Sequence, residues 1–249
     1  MDAALKTIAL VTGANRGLGL ATANALARVG CTVLMAGRDP EAVDAAVAAL
    51  RKQGLDAAPV IMDVSSLASI AAAAQDVRDR YGRLDVLVNN AGVLPEAAAD
   101  GVHDFMDPGV LQRTFQTNLF GAVATIESFL PMLRASPAGR IVNVSSTMGS
   151  LADQSDPTSP YYATLVPAYQ ASKAALNSIT IGLSKKLKDT KIKVTSVCPG
   201  WVQTDLAPGN RDQAPTSAAA ACAVVVQAAT LDQAASSGSF IDQRGTVPW

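Results

Sequence analysis

The 249-residue chain can hold one large α/β domain or two small ones. Its apolar fraction of 49%, with only 4% aromatic residues, suits a sheet of Val, Ile, Leu and Ala buried on both faces. A formal net charge of -1 excludes a global field directed at nucleic acid or an anionic membrane, and Cys31, Cys198 and Cys222 are too few and too scattered for a disulfide framework or a zinc site, which fits a reducing cytosol.

Met1 to Val11 carries one lysine and a short apolar run, too short for a signal-peptide core. No stretch reaches the ~18 uninterrupted apolar residues of a transmembrane helix. A soluble, cytoplasmic protein is expected.

Ile8 to Val11 reads as a buried strand that runs into Thr12-Gly13-Ala14-Asn15-Arg16-Gly17-Leu18-Gly19 and then an alanine-rich helix to Arg28. Thr32 to Ala36 is the second strand, and Asp39-Pro40 starts a helix with Asp39 as N-cap and Pro40 in its first position. Ala58 to Met62 forms the third strand, followed by Asp63-Val64-Ser65-Ser66 and a helix over Leu67 to Tyr81. The fourth strand, Leu84 to Val88, ends in Asn89-Asn90-Ala91-Gly92, after which a loop runs to Pro108.

Val110 to Leu133 reads as one long helix and Arg140 to Val144 as the fifth strand. Residues 150–168 carry three prolines among Asp, Ser and Thr and read as an irregular insertion. Tyr169 to Leu187 is helical, Ile192 to Val197 the sixth strand, Thr216 to Ala229 a helix and Gly238 to Ile241 a short last strand. Strands alternating with helices imply right-handed crossovers and a parallel sheet. No linker or repeat divides residues 1–249, so one domain is expected.

Tyr169 and Lys173 stand four residues apart, one turn from each other on one helix face. A phenol near pKa ~10 is a poor proton donor or acceptor at neutral pH, and a neighbouring ammonium is expected to lower that value. The pair is a candidate acid/base needing neither histidine nor metal. The glycine turn has a strand before it and a helix after it, the setting in which backbone N–H groups hold a pyrophosphate. At the end of the second strand no acid is present and Arg38 comes first, with Arg16 inside the glycine turn. Two guanidiniums suit a ribose 2′-phosphate. Asp39, 20 residues past Gly19, is where an acid favouring NAD could lie, although its N-cap role explains it equally well.

Thr12-Gly13-x3-Gly17-x-Gly19, Asn89-Asn90-Ala91-Gly92 and Tyr169-x3-Lys173 together resemble the short-chain dehydrogenase/reductase family over nearly the whole chain. The resemblance implies a doubly wound Rossmann-type fold with about seven parallel strands and helices on both faces. It implies a dinucleotide, read here as NADP(H), held by Gly13, Asn15, Arg16, Gly17, Leu18, Gly19 and Arg38. Asp63 and Val64 would lie beside adenine, with Asn90, Ala91 and Gly92 along the cleft, and Asn89 either there or only bracing its strand. Pro199, Gly200, Val202 and Thr204 would cover the nicotinamide, and residues 201–215 would form a substrate lid.

The implied catalytic group is Asn118, Ser146, Tyr169 and Lys173. Tyr169 would exchange a proton with the substrate oxygen, Ser146 would hydrogen-bond that oxygen, Lys173 would hold the nicotinamide ribose, and Asn118 would hold a water behind the lysine. Ser145 is the rival serine, with a backbone-satisfying role as its alternative. Trp201 and Trp249 are read as packing, and His103, the only histidine, as a solvated loop residue.

Tyr169 lies 23 residues after Ser146, where compact family members place the two closer together. The extra segment resembles the carbonyl-reductase-like branch, which implies NADPH and a small-molecule ketone, aldehyde or alcohol, with a monomer favoured over a homo-oligomer. An NAD-dependent alcohol dehydrogenase, an acyl-carrier ketoreductase and a non-catalytic dinucleotide sensor remain the alternatives.

Overall fold

The computed structural model describes residues 6–98 and 103–249. The first residues of the Met1–Val11 stretch and the middle of the loop after Gly92 lie outside the described residues. The chain runs β1 (Ile8–Thr12), α1 (Gly17–Arg28), β2 (Thr32–Gly37), α2 (Pro40–Arg51), β3 (Ala57–Ile61), α3 (Leu67–Tyr81) and β4 (Val86–Asn89). It continues with α4 (Pro108–Phe115), α5 (Ala122–Arg134), β5 (Arg140–Val144), α6 (Leu151–Gln154), α7 (Pro167–Lys186) and β6 (Lys193–Val197). The last elements are α8 (Asn210–Gln213), α9 (Ala218–Ala229), β7 (Ser239–Asp242) and β8 (Gly245–Thr246).

The strands form one sheet in the order β3-β2-β1-β4-β5-β6-β7-β8. The first seven are parallel, as expected, and β8 adds a short antiparallel edge that the sequence reading did not include. Alternation along each strand builds two cores. Ala9 and Val11 of β1, with Val33 and Met35 of β2, face Leu26 of α1, Val43 of α2 and Val225 of α9. Ile8, Leu10 and Leu34 face the opposite layer, against Ile70 of α3 and Ile126 and Phe129 of α5. Successive side chains point to opposite faces, so a strand covered on both sides must be apolar at every position. β1 is buried at all five residues for that reason.

Local chemistry sets the helix ends. The Asp39 side chain accepts from Ala42 N at 3.2 Å with Pro40 following, and Ser66 caps α3 by accepting from Ser69 N. The predicted single helix over Val110–Leu133 is instead two α-helices joined by a π-turn at Gln116–Gly121, with Asn118 inside it. Buried Val110, Thr114, Asn118 and Ala122 recur every fourth residue through the turn, a spacing that still reads as one helix, so the pattern does not reveal it. Among the described residues no helix is long and apolar enough to cross a membrane.

Candidate active site

The strand order reverses between β1 and β4, and the crevice outside the carboxyl ends of these strands is the place where open α/β sheets bind ligands. A cleft of about 1210 Å³ lies there. The glycine turn forms one end: Gly13, Asn15, Arg16, Gly17, Leu18 and Gly19 all line it. Gly13 and Gly17 have φ of 64° and 54°, which side chains rarely adopt. A Cβ on Gly19 would stand 2.2 Å from Gly13 O and 2.5 Å from Asn90 Nδ2. α1 then begins without a side-chain cap and with no acid in its first turn. Open N–H groups at the positive end of a helix beside a backbone without side chains can hold a pyrophosphate.

Arg38, Asp63 and Val64 line the same end. The Asp63 carboxyl is held below the usual carboxylate range first by hydrogen bonds from Ser65, with a smaller contribution from Arg38. Asp39 is not among the lining residues; its carboxylate caps α2. Arg16 also ion-pairs with Asp205 of the 201–215 segment at 3.6 Å, a contact the sequence reading did not foresee. Asp205 is itself paired with Arg211.

Asn90, Ala91 and Gly92 line the middle of the cleft. Asn90 Nδ2 donates to Thr12 O at 2.8 Å, so this side chain braces the glycine turn. Thr12 Oγ1 accepts from the N–H groups of both Asn90 and Ala91 at 2.9 Å, a crosslink that the turn motif alone did not announce. Asn89 is buried and donates to Asn143 on β5 at 2.9 Å, which settles its two readings in favour of strand support.

Pro199, Gly200, Val202 and Thr204 line the far side, and a Cβ on Gly17 would lie 3.3 Å from the Thr204 methyl. Trp201 departs from the packing role expected of it: it is 45% exposed at the rim, where its indole N–H donates to Asn210 Oδ1. Trp249 does pack, stacked on Phe240 at 5.5 Å between ring centroids. Residues of the 150–168 segment, Pro160, Tyr161 and Thr164 among them, line the cleft as well. His103 is exposed, 4.0 Å from Asp107 and away from the cleft lining.

At the other end of the cleft Ser145, Ser146, Tyr169 and Lys173 come together. Ser145 is buried, and its hydroxyl reaches toward Lys173 O on α7 at 3.4 Å rather than toward backbone at its own strand end. Ser146 caps the turn Thr147–Gly149, and its hydroxyl biases the nearby Tyr169 phenol slightly toward its charged form. Lys173 Nζ donates to Val144 O at 2.8 Å and lies 5.5 Å from the centroid of the Tyr169 ring.

The electrostatics correct the expectation of an acidified phenol. Burial pushes Tyr169 up from its ordinary value, the Cys198 side adds to the rise, and Ser146 offsets only part of it. The same burial lowers the Lys173 ammonium from 10.5 to about 8. Desolvation disfavours the charged form of each group, so phenolate and ammonium are both resisted. The favoured state at neutral pH is a neutral phenol beside an ammonium that readily loses its proton.

Asn118 is placed behind the cleft rather than in it. Its Oδ1 accepts from Val93 N at 2.8 Å, and its Nδ2 donates to Val93 O and to Ser172 Oγ at 3.0 and 3.1 Å. The amide is occupied by protein partners on both ends, so the side chain itself is committed to anchoring the segment after β4 to α7. Sequence reasoning also missed Glu96, whose carboxylate oxygens accept from Ala168 N and Tyr169 N at 2.9 and 2.8 Å. Nothing local marks a partner more than seventy positions away.

Residues 7–215 match the family described as short chain dehydrogenase. The chain is 37% identical over 241 residues to the short-chain dehydrogenase anuI of Penicillium roqueforti, covering 92% of this chain and 91% of that one. Its fold is similar to NADPH-bound carbonyl reductase from chicken fatty liver, with TM-score 0.84, 28% identity and coverage of 98% and 99% of the two chains. It is also similar to salutaridine reductase from Papaver somniferum, with TM-score 0.80, 26% identity and coverage of 94% and 99%. The glycine turn, the Tyr169–Lys173 pair and these matches agree: the chain belongs to the short-chain dehydrogenase family.

Proposed function

We propose that the protein is an NADPH-dependent carbonyl reductase, working reversibly as an alcohol dehydrogenase on a small ketone, aldehyde or alcohol. The observation that carries this reading is the meeting of Ser146, Tyr169 and Lys173 at one end of a cleft whose other end is the uncapped start of α1. Bound there, a nicotinamide dinucleotide would supply the hydride. Gly13, Gly17, Leu18 and Gly19 would hold its pyrophosphate, with Asn15 beside them and Asp63 and Val64 beside its adenine. Arg38 and Arg16 would face a 2′-phosphate, with Asp39 already committed to α2. Asn90, Ala91 and Gly92 would line the middle, and Pro199, Gly200, Val202 and Thr204 would cover the nicotinamide end.

In reduction the substrate oxygen would accept hydrogen bonds from Ser146 and Tyr169. Charge growing on that oxygen makes it a stronger base than phenolate, so the Tyr169 proton moves to it as the C–H bond forms. The Lys173 ammonium then stabilises the phenolate left behind. Burial keeps Tyr169 in the protonated form that reduction requires. Asn118, its side chain fixed by Val93 and Ser172, would hold a water behind Lys173. The 150–168 insertion and the 201–215 segment would shape and close the substrate end.

The test is steady-state reduction of a panel of ketones and aldehydes with NADPH and with NADH. The reading expects turnover with NADPH favoured over NADH. Equal use of NADH would remove the cofactor assignment, and no turnover with any carbonyl would remove the reaction.

A further inference from the structure

α7, the helix that carries Tyr169 and Lys173, takes its cap from far along the chain. Pro167 is its first residue, and Val166 before it has no side-chain acceptor for the open N–H groups. α2, α3 and α9 are capped by the adjacent Asp39, Ser66 and Ser217. For α7 the acceptor comes from far along the chain: Glu96, in the 3₁₀ turn Pro95–Ala98, gives Oε1 to Ala168 N and Oε2 to Tyr169 N. A carboxylate holding two N–H groups at once combines charge-assisted hydrogen bonds with the positive end of the helix dipole.

A local cap fixes a helix to the residue before it, whereas this one fixes it to the loop after β4. That loop is part of the site: Val93, Leu94, Pro95 and Ala97 line the cleft. Its start is held by Asn118, which also reaches Ser172 on α7. One of the two clamped N–H groups belongs to Tyr169 itself, so no other residue intervenes between the carboxylate and the acid/base. Glu96 is not among the lining residues.

We propose that Glu96 is a positioning residue for Tyr169. Its carboxylate sets the advance of α7 toward Ser146, and it makes the position of the 93–98 loop, against which substrate rests, a determinant of where the phenol stands. The inference rests on Tyr169 being the acid/base. A displacement of ~1 Å at a reacting group can cost about a hundredfold in rate, so a clamp of this kind is felt mainly in kcat.

The experiment compares full-length Glu96→Ala, Glu96→Gln and Tyr169→Phe with the wild type. A control, Val77→Ala, removes two methyl groups from the fully buried face of α3, away from the cleft. Readouts are kcat and KM for a ketone at saturating NADPH, the NADPH Kd, the melting temperature and the solvent deuterium isotope effect on kcat. Glu96→Ala is expected to lower kcat about 10- to 100-fold, with KM and Kd within about twofold and a larger isotope effect as proton transfer becomes limiting. Glu96→Gln keeps one acceptor oxygen and should fall between, and it carries the test if the alanine variant does not fold. Val77→Ala should lose melting temperature with kcat retained.

Wild-type kcat in Glu96→Gln and Glu96→Ala, or an equal loss of kcat in Val77→Ala, overturns the inference. Full activity in Tyr169→Phe would instead bring down the acid/base reading beneath it.

Discussion

Replacing Lys173 by methionine isolates the cost of burying the site's ammonium. Burial carries this group from 10.5 to about 8. At ~1.36 kcal/mol per pH unit, holding the charge in the folded, dinucleotide-free protein costs about 3 kcal/mol at neutral pH. The folded-state value is the lower one, so between pH about 8 and about 10.5 the unfolded chain binds more protons, and stability rises with pH across that window. The cost is fully present below pH 8, and linkage leaves under about 1 kcal/mol of it at pH 10. The bond from Lys173 to Val144 O can survive deprotonation, because a neutral amine still donates.

Urea unfolding of the wild type and Lys173→Met at pH 7, 8, 9 and 10 reads this directly. Groups common to both proteins cancel in the difference. The wild type should gain about 2 to 3 kcal/mol relative to the variant between pH 7 and pH 10. A difference that stays constant with pH would refute the argument, because it would mean the ammonium is not desolvated in the folded state. The variant should be inactive throughout.

Gly19→Ala should impair folding and dinucleotide binding together: its Cβ would meet Gly13 O and Asn90 Nδ2 well inside van der Waals contact, an overpacking cost of about 1–3 kcal/mol. Thermal melts with and without NADPH check this, and a wild-type NADPH-induced shift would contradict it. Arg38→Leu should weaken NADPH about 10- to 100-fold while changing NADH little, the scale of a lost charge-assisted hydrogen bond; equal effects on the two would return Arg38 to the solvated surface. Asp205→Asn releases Arg16 from its 3.6 Å ion pair and should tighten NADPH more than NADH by a few-fold, as expected of an exposed pair, with titrations of both dinucleotides as the measure.

The parallel strands were legible because burial on both faces leaves a continuous apolar run, as in Ile8–Thr12, and because glycine or Asx residues punctuate their ends. β8 was not, since two exposed residues paired with Ile241 and Asp242 carry no pattern of their own. Asn118 signalled itself by its poor helix propensity, but its partners Val93 and Ser172 belong to other elements and leave no local trace around the π-turn. The cleft residues were readable from motifs because the carboxyl ends of neighbouring parallel strands converge wherever the sheet order reverses. The Tyr169 ionisation was misread for a physical reason: helical spacing shows that an ammonium is near, while desolvation depends on everything packed around the pair. Glu96 and Asp205 stayed hidden because their partners are fixed only by the tertiary fold.

Proton delivery by the buried phenol is tested most directly by NADPH-coupled ketone reduction with Tyr169→Phe, alongside its NADPH Kd. With the ring and its packing retained, dinucleotide binding should match the wild type while kcat falls by about 10²- to 10⁴-fold, the usual contribution of a positioned acid/base. Turnover equal to the wild type at unchanged Kd would contradict the account.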